Sequence, residues 1–260
     1  MVRDRMADSV YLQRDQPDGV PPLSLTGERT LPDVPEENYW FRRHLVVYEW
    51  IAARTHGRRI VDLACGEGYG AAVLGRTAAS VVGVDANPDA FEHARLKYSS
   101  ETVRFERDLV ETWQGDVDCV VFLQTIEHVQ DPDAVLEHIK GLVGPGGVAY
   151  VSTPNVLTLA PKGQARSGNP WHVREYEPEE YRALCERHFG SVDLLGLSHA
   201  RRLRAHQFAI EHLGWDAVHA RLGVTAAFYD RFTAAISVRD FRLHRGDLSR
   251  SLDLLAVLRP

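Results

Sequence analysis

An α/β fold built on a doubly wound parallel sheet is what this sequence predicts, on three observations. Between residues 58 and 155, short β-rich runs alternate with helical segments. Residues 117–123 form a nearly continuous apolar run, as a strand covered on both faces requires. The stretch VDLACGEGYG, residues 61–70, ends one such run and opens a helix through Gly66, Gly68 and Gly70. Nucleotide-binding α/β folds place that kind of tight turn after a strand.

Taken in order, residues 1–27 are polar, punctuated by Pro and Gly, and read as a flexible N-terminal lead-in. A helix follows over 36–56, where Trp40, Phe41, Leu45, Val46, Tyr48 and Ile51 offer one face to a core. RRIVDLA is the first strand, followed by a helix from Tyr69. SVVGVD is the second, followed by a helix from Pro88 to about Tyr98. VRFERD is the third strand. VDCVVFLQ is the fourth, with a helix from Pro132 to Leu142, and GGVAYVSTP is the fifth. The N-terminal helix and the cofactor-binding core thus occupy 28–155.

The rhythm breaks after Pro154. Residues 155–177 carry Pro, Gly, Asn and aromatics and read as a long loop, which in a compact domain is functional or disordered. Pro178 then opens a helix, EEYRALCERHF, with acids in its first turn, and SVDLLGLS follows as a strand. A substrate loop, a helix and a sixth strand therefore fill 156–200. Residues 201–248 read as an amphipathic helical insertion that forms a lid with the loop 156–177, and 249–260 close the chain as the final strand, SLDLLAVLRP.

Composition narrows the function class. At 260 residues and 44% hydrophobic content the chain is long enough for one large domain, or one domain with a lid. A net charge of −6 offers no broad basic field for nucleic acid. Cys65, Cys119 and Cys185 make no CxxC pair and no zinc spacing, which implies reduced thiols. The N-terminus lacks an apolar stretch of signal-peptide type, and no apolar run approaches the roughly 20 residues that span a bilayer. A cytoplasmic protein with no membrane association is expected.

The strand ends identify a cofactor class. Asp62 lies ahead of the glycines, where it can accept from an ammonium or orient the loop. Asp85 ends the second strand, where a carboxylate suits the two hydroxyls of a ribose. Asp108 ends the third and can accept from an adenine amino group, with Leu109 packing on the ring. A pyrophosphate would call for a bare helix N-terminus and nearby cations, and Glu67 within the glycine loop would repel it. An adenosine with a cationic amino-acid tail fits: S-adenosylmethionine.

ACGEGYG, VVGVDAN, IEHVQDP and GPGGVAYVSTPN resemble, in order and spacing, the class I S-adenosylmethionine-dependent methyltransferases. The resemblance implies a Rossmann-like sheet of seven strands whose last strand is antiparallel, with SVDLLGLS as strand six and SLDLLAVLRP as strand seven. It adds Ala64, Gly66, Gly68, Ala86 and Gln124 to the cofactor-binding residues. It also supports Arg43, or its neighbour Arg42, as the fork for the cofactor carboxylate, and Tyr39 as a cover for the methionine tail. TGERTLPDVPEENYWFRRH, NPWHVREYEPEEY and SLDLLAVLRP further resemble actinobacterial sugar O-methyltransferases, of the mycobacterial type that methylates mannose oligosaccharides. That implies an oligosaccharide or small-molecule acceptor; a homodimer stays an open option.

FLQTIEHVQDP, residues 122–132, carries the chemistry. A sugar hydroxyl is a poor nucleophile and needs a base, a metal, or both. Ligands in this fold meet outside the carboxyl ends of the strands, where Gln124, Glu127 and His128 sit. Metal-dependent relatives carry Glu-x-x-Glu-His here; this chain has Gln-x-x-Glu-His, with a carbonyl oxygen in place of the first carboxylate. His172 in the loop supplies another imidazole. Two readings stand side by side: Glu127, His128 and His172 hold Mg²⁺ or a similar ion, or they act directly as base and orienter. Trp171, Arg174 and Tyr176 flank His172 as a sugar platform or as loop anchors. The alternatives to a sugar O-methyltransferase are a natural-product O- or N-methyltransferase acting on a phenol or amine, and a cofactor-binding protein without turnover.

Overall fold

In the computed structural model, residues 13, 16–25, 29–161, 163–213 and 226–260 are described. Strands β1 (Arg59–Leu63), β2 (Ser80–Val84), β3 (Val103–Glu106), β4 (Cys119–Leu123) and β5 (Val148–Pro154) pair in parallel. β6 (Ser191–His199), β7 (Phe241–His244) and β8 (Asp253–Arg259) complete one sheet of order β3-β2-β1-β4-β5-β8-β6-β7. β8 runs antiparallel to both β5 and β6, as the expected final strand does.

The sheet has eight strands, which corrects the expected seven. The extra one is FRLH, which pairs antiparallel with the outer edge of β6 from Gly196↔His244 to His199↔Phe241. It lies inside the stretch expected to be a wholly helical insertion. A four-residue run carries too few positions to separate a period of 2 from a single helical turn. Elsewhere in that stretch α7 (Arg201–Leu213) and α8 (Ala226–Ala234) are helical, while 214–225 lie outside the described residues.

Two apolar layers enclose the sheet, because successive residues of each strand point to opposite faces. Val61, Leu63, Val120 and Phe122 meet α4 (Pro132–Val143) and α6 (Pro178–Glu186) through Leu136, Ile139, Tyr181 and Leu184. Ile60, Val81, Cys119 and Val121 meet α1 (Asn38–Ala52), α2 (Tyr69–Leu74) and α3 (Pro88–Tyr98) through Tyr48, Ile51, Leu74 and Ala94. Helix starts follow local chemistry. Asn87 accepts from the amides of Asp89 and Ala90 with Pro88 at the first position, and Asp131 accepts from Ala134 ahead of Pro132.

Part of the expected flexible lead-in is packed. Leu23 is buried with Leu31 and Val34, and Gln13 and Val20 are also buried; residues 1–12, 14, 15, 26 and 27 lie outside the described residues. The long loop opens with one short helical turn, α5 (Val156–Leu159), and its two ends are joined by a bridge between Asn155 and Tyr176. Cys65, Cys119 and Cys185 are buried and unbridged. No helix among the described residues is long and apolar enough to cross a membrane.

Candidate active site

The turn after β1 is shaped by backbone conformations that favour small residues. Ala64 has φ 56°, Gly66 58° and Gly68 97°. Gly68 is also held by packing, since a Cβ there would stand 2.6 Å from Cβ of Ala94 on α3. Asp85 at the end of β2 fastens this turn: its Oδ2 accepts from the amide of Gly66 at 2.8 Å and its Oδ1 from Asn87 at 2.9 Å. The Glu67 side chain is fully buried. Its Oε1 accepts from Gln13 Nε2 at 2.8 Å, Lys97 Nζ at 2.8 Å and Tyr98 Oη at 3.0 Å, and lies 3.0 Å from His93 Nε2. The carboxylate expected to repel a pyrophosphate is therefore buried, and it instead ties the glycine turn to α3 and to the N-terminal segment.

Asp62 is fully buried beneath the turn. Its Oδ1 accepts from Tyr48 Oη at 3.1 Å, and its Oδ2 meets no donor among the described residues. Burial pushes its pKa up to about 8; the Tyr48 hydroxyl opposes this and Asp85 adds to it. An orphaned, buried carboxylate oxygen at the head of the glycine turn is the feature a cationic ligand would satisfy. Asp108 Oδ1 accepts from the Leu109 amide and Thr112 Oγ1, while the Leu109 side chain is exposed.

A pocket opens beside the turn, and its lining includes Arg29, Thr30, His44, Tyr48, Ala64, Gly66, Glu67 and Tyr69. Leu123, Gln124, Thr125, Ser152, Leu197, Leu243, Asp253 and Leu255 also line it. Tyr39, Arg43, Asp62, Gly68, Asp85, Ala86, Asp108 and Leu109 are not in this lining. Arg43 is instead committed to Asp253 by two bonds, one of them from Nε at 2.7 Å, and to the carbonyl of Leu252. Burial works against its charge, but Asp253 holds its pKa above the ordinary value. Tyr39 bonds His199 Nε2 at 2.7 Å. The cation that does line the pocket is Arg29, in the TGERT stretch, and Thr30 beside it bonds Tyr69 Oη at 2.9 Å. His44 also lines the pocket, and burial lowers its pKa to about 4, so it is neutral near pH 7.

At the exit of β4, Gln124 takes φ 52°, an uncommon conformation for a residue with a side chain. Its Nε2 donates to Ser152 Oγ on β5 at 2.9 Å. The next turn, a 3₁₀ segment over Ile126–His128, presents Glu127 and His128. Ligand atoms of Glu127, His128 and His172 all lie within 4.8 Å of one another. The two imidazoles sit 5.1 Å apart, at 70°. His128 Nδ1 lies 3.0 Å from the carbonyl of Trp171, which can only accept, so Nδ1 carries the proton. His172 Nδ1 lies 2.7 Å from Glu175 Oε1. The amides of Val173 and Arg174 donate to the carbonyl of Glu127, and so dock the loop on the turn. Trp171 itself is 63% exposed, whereas Tyr176 is buried with Arg174 over its ring.

The structure therefore brings together three of the residues read from sequence and adds others. Glu175 stands three residues beyond His172 in a non-helical part of the loop, and such short separation was the one signal that could have marked it. Ser152 and Arg29 gave no such signal, since their places depend on neighbours far away in the chain.

The methyltransferase-domain family matches residues 37–213. A protein of Mycolicibacterium smegmatis assigned as an S-adenosylmethionine-dependent methyltransferase is 38% identical over 247 residues, covering 90% of this chain and 94% of its own. A ubiquinone biosynthesis O-methyltransferase of Xanthomonas campestris is 31% identical over 115 residues, 41% of this chain and 48% of its own. A solved S-adenosylmethionine-dependent methyltransferase from Thermotoga maritima shares the fold with a TM-score of 0.57 at 16% identity, covering 87% of this chain and 95% of that one.

Proposed function

The chain belongs to the methyltransferase-domain family and is an S-adenosylmethionine-dependent methyltransferase, and from that premise we propose that its acceptor is a hydroxyl group of a sugar or oligosaccharide. The observation that carries this reading is the grouping of Glu127, His128 and His172 at the exit of β4, beside an exposed Trp171. An aliphatic hydroxyl needs help to lose its proton, and two imidazoles with a carboxylate supply the groups for it. The exposed indole offers a flat apolar face of the kind that stacks on a sugar ring.

S-adenosylmethionine supplies the electrophilic methyl group. The chain's part is to bind and aim it. Asp62 offers an unmatched carboxylate oxygen to a cationic tail, Asp85 holds the turn and retains lone pairs for ribose hydroxyls, and Arg29 stands in the pocket as a fork for a carboxylate. In-line transfer then asks that the acceptor oxygen be held about 3 Å from the methyl carbon.

Glu127, His128 and His172 fit a divalent ion by donor type, one oxygen and two nitrogens, a set that suits Mn²⁺ at least as well as Mg²⁺. When bound, such an ion makes a coordinated hydroxyl more acidic. In the neutral rings the Nδ1 bonds to Trp171 and Glu175 leave Nε2 as the unprotonated nitrogen of each, which suits a ligand and a base equally. Gln124 is turned to Ser152, so the residue standing where relatives have an acid is tethered to β5. A phenol or amine acceptor is the second reading, favoured by the leucines at 123, 197, 243 and 255 in the pocket. Incubating the protein with labelled S-adenosylmethionine and a panel of unmodified and partly methylated oligosaccharides, phenols and amines tests both. A gain of one methyl on a saccharide is expected, and methylation confined to phenols or amines would reject the sugar reading.

A further inference from the structure

We propose that Glu175 is a positioning residue for the proposed site. Its carboxylate fixes His172 in the Nδ1–H form and sets the ring against His128, so that Nε2 of His172 is the nitrogen offered to a cation or an acceptor proton. The inference rests on the site reading given above, but it concerns how the ring is held.

Three observations support it. The contact of Glu175 Oε1 with His172 Nδ1 is 2.7 Å, and the two side chains are only 7% and 5% exposed, so water competes little for either. Glu175 is itself held: Oε2 accepts from the Ser167 amide at 2.8 Å, and Oε1 from the Ser167 hydroxyl. Ser167 Oγ in turn accepts from the Asn169 amide at 3.1 Å, and Asn169 Oδ1 from the Trp171 amide at 3.0 Å. Trp171 is the residue whose carbonyl holds His128. One continuous chain of bonds therefore runs from His172 through Glu175, Ser167, Asn169 and Trp171 to His128, and Glu175 is its anionic member.

A histidine that ligates a metal usually gives its other ring N–H to a carboxylate or carbonyl, which fixes the tautomer and strengthens the ligand. Here one ring has the carboxylate and the other the carbonyl. Ser167 and Glu175 lie outside the pocket beside the glycine turn, so changing them should leave cofactor affinity alone.

The test uses the full chain in three variants, Glu175→Ala, Glu175→Gln and Ser167→Ala. Long-range proton–nitrogen spectra of the imidazoles, taken without added metal, report the tautomer of His172. The wild type should show Nδ1–H, and Glu175→Ala should move the proton toward Nε2. Mn²⁺ binding, followed by electron paramagnetic resonance, should weaken by ~10–100-fold in Glu175→Ala. It should weaken less in Glu175→Gln, whose amide oxygen can still accept, and in Ser167→Ala, which keeps the carboxylate. S-adenosylmethionine affinity, unchanged in all three, shows that the variants fold. An unchanged His172 tautomer in Glu175→Ala would overturn the proposal and leave Glu175 as loop support only. If the wild type takes up no Mn²⁺, the metal reading falls, while the spectra still decide the role of Glu175.

Discussion

Asp62 puts a sharp condition on the chemistry beneath the glycine turn, behind the pocket lining. Its side chain is buried with one oxygen unmatched, and burial lifts its pKa to about 8. Between about pH 4 and pH 8 the folded chain therefore keeps a proton that the unfolded chain has released. That contribution to stability is complete below the unfolded value and is lost as pH rises through the folded one. Thermal unfolding of the cofactor-free protein should show a falling midpoint across that window, and Asp62→Asn should flatten it. A cationic ligand favours the carboxylate, so binding of S-adenosylmethionine near pH 7 should release a proton. Calorimetry in two buffers of different ionisation heat measures this, and Asp62→Asn should abolish it. At this scale the sequence was informative where chemistry is local. Glu127 and His128 are adjacent, and a carboxylate at the end of each of three strands follows from the β-rich runs. Arg43 was not legible as a structural cation, because its partner Asp253 lies 210 residues away.

The same ion pair matters most at the scale of elements. Arg43 on α1 and Asp253 at the start of β8 are 7% and 5% exposed, so α1 is fastened to the strand that lies between β5 and β6. Removing one partner of a buried pair leaves a charge without compensation, at a cost of ~3–5 kcal/mol. Arg43→Ala should lower the denaturant midpoint accordingly, whereas Arg43→Met combined with Asp253→Leu should recover much of the loss. Elements with strong local signals were legible down to their ends: Pro88 and Tyr98 bound α3, and Pro132 begins α4, because proline and an Asn or Asp cap fix a helix start without help from the rest of the chain. β7 was not, since a short edge strand is defined by the neighbour it pairs with, here β6. The 3₁₀ turn of Ile126–His128 likewise owes its place to the docking of residues 173 and 174 on Glu127.

Across the whole molecule the proposed cofactor groups stand at or near the ends of β1, β2 and β3 and the proposed acceptor groups follow β4, with the loop 155–177 folding back to bring His172 to Glu127 and His128. This division predicts separable effects. His128→Ala and His172→Ala should each lower turnover by ~10²-fold or more while S-adenosylmethionine affinity stays close to wild type. Equal loss of affinity and turnover would place the histidines in the cofactor pocket instead. The order of the core was readable because a parallel sheet repeats one unit; beyond β5 only His172 was read as a partner for Glu127 and His128, while Glu175 and the edge strand β7 were not, because a loop, an insertion and an edge strand share no repeat. The most direct measurement is methyl transfer from labelled S-adenosylmethionine to an oligosaccharide by metal-stripped protein, with and without Mn²⁺ or Mg²⁺ restored. The site at β4 predicts that chelation abolishes the one-methyl mass shift and that Mn²⁺ returns it. Full turnover in the presence of chelator would contradict the metal-assisted site, and no methylated saccharide under any condition would contradict the acceptor.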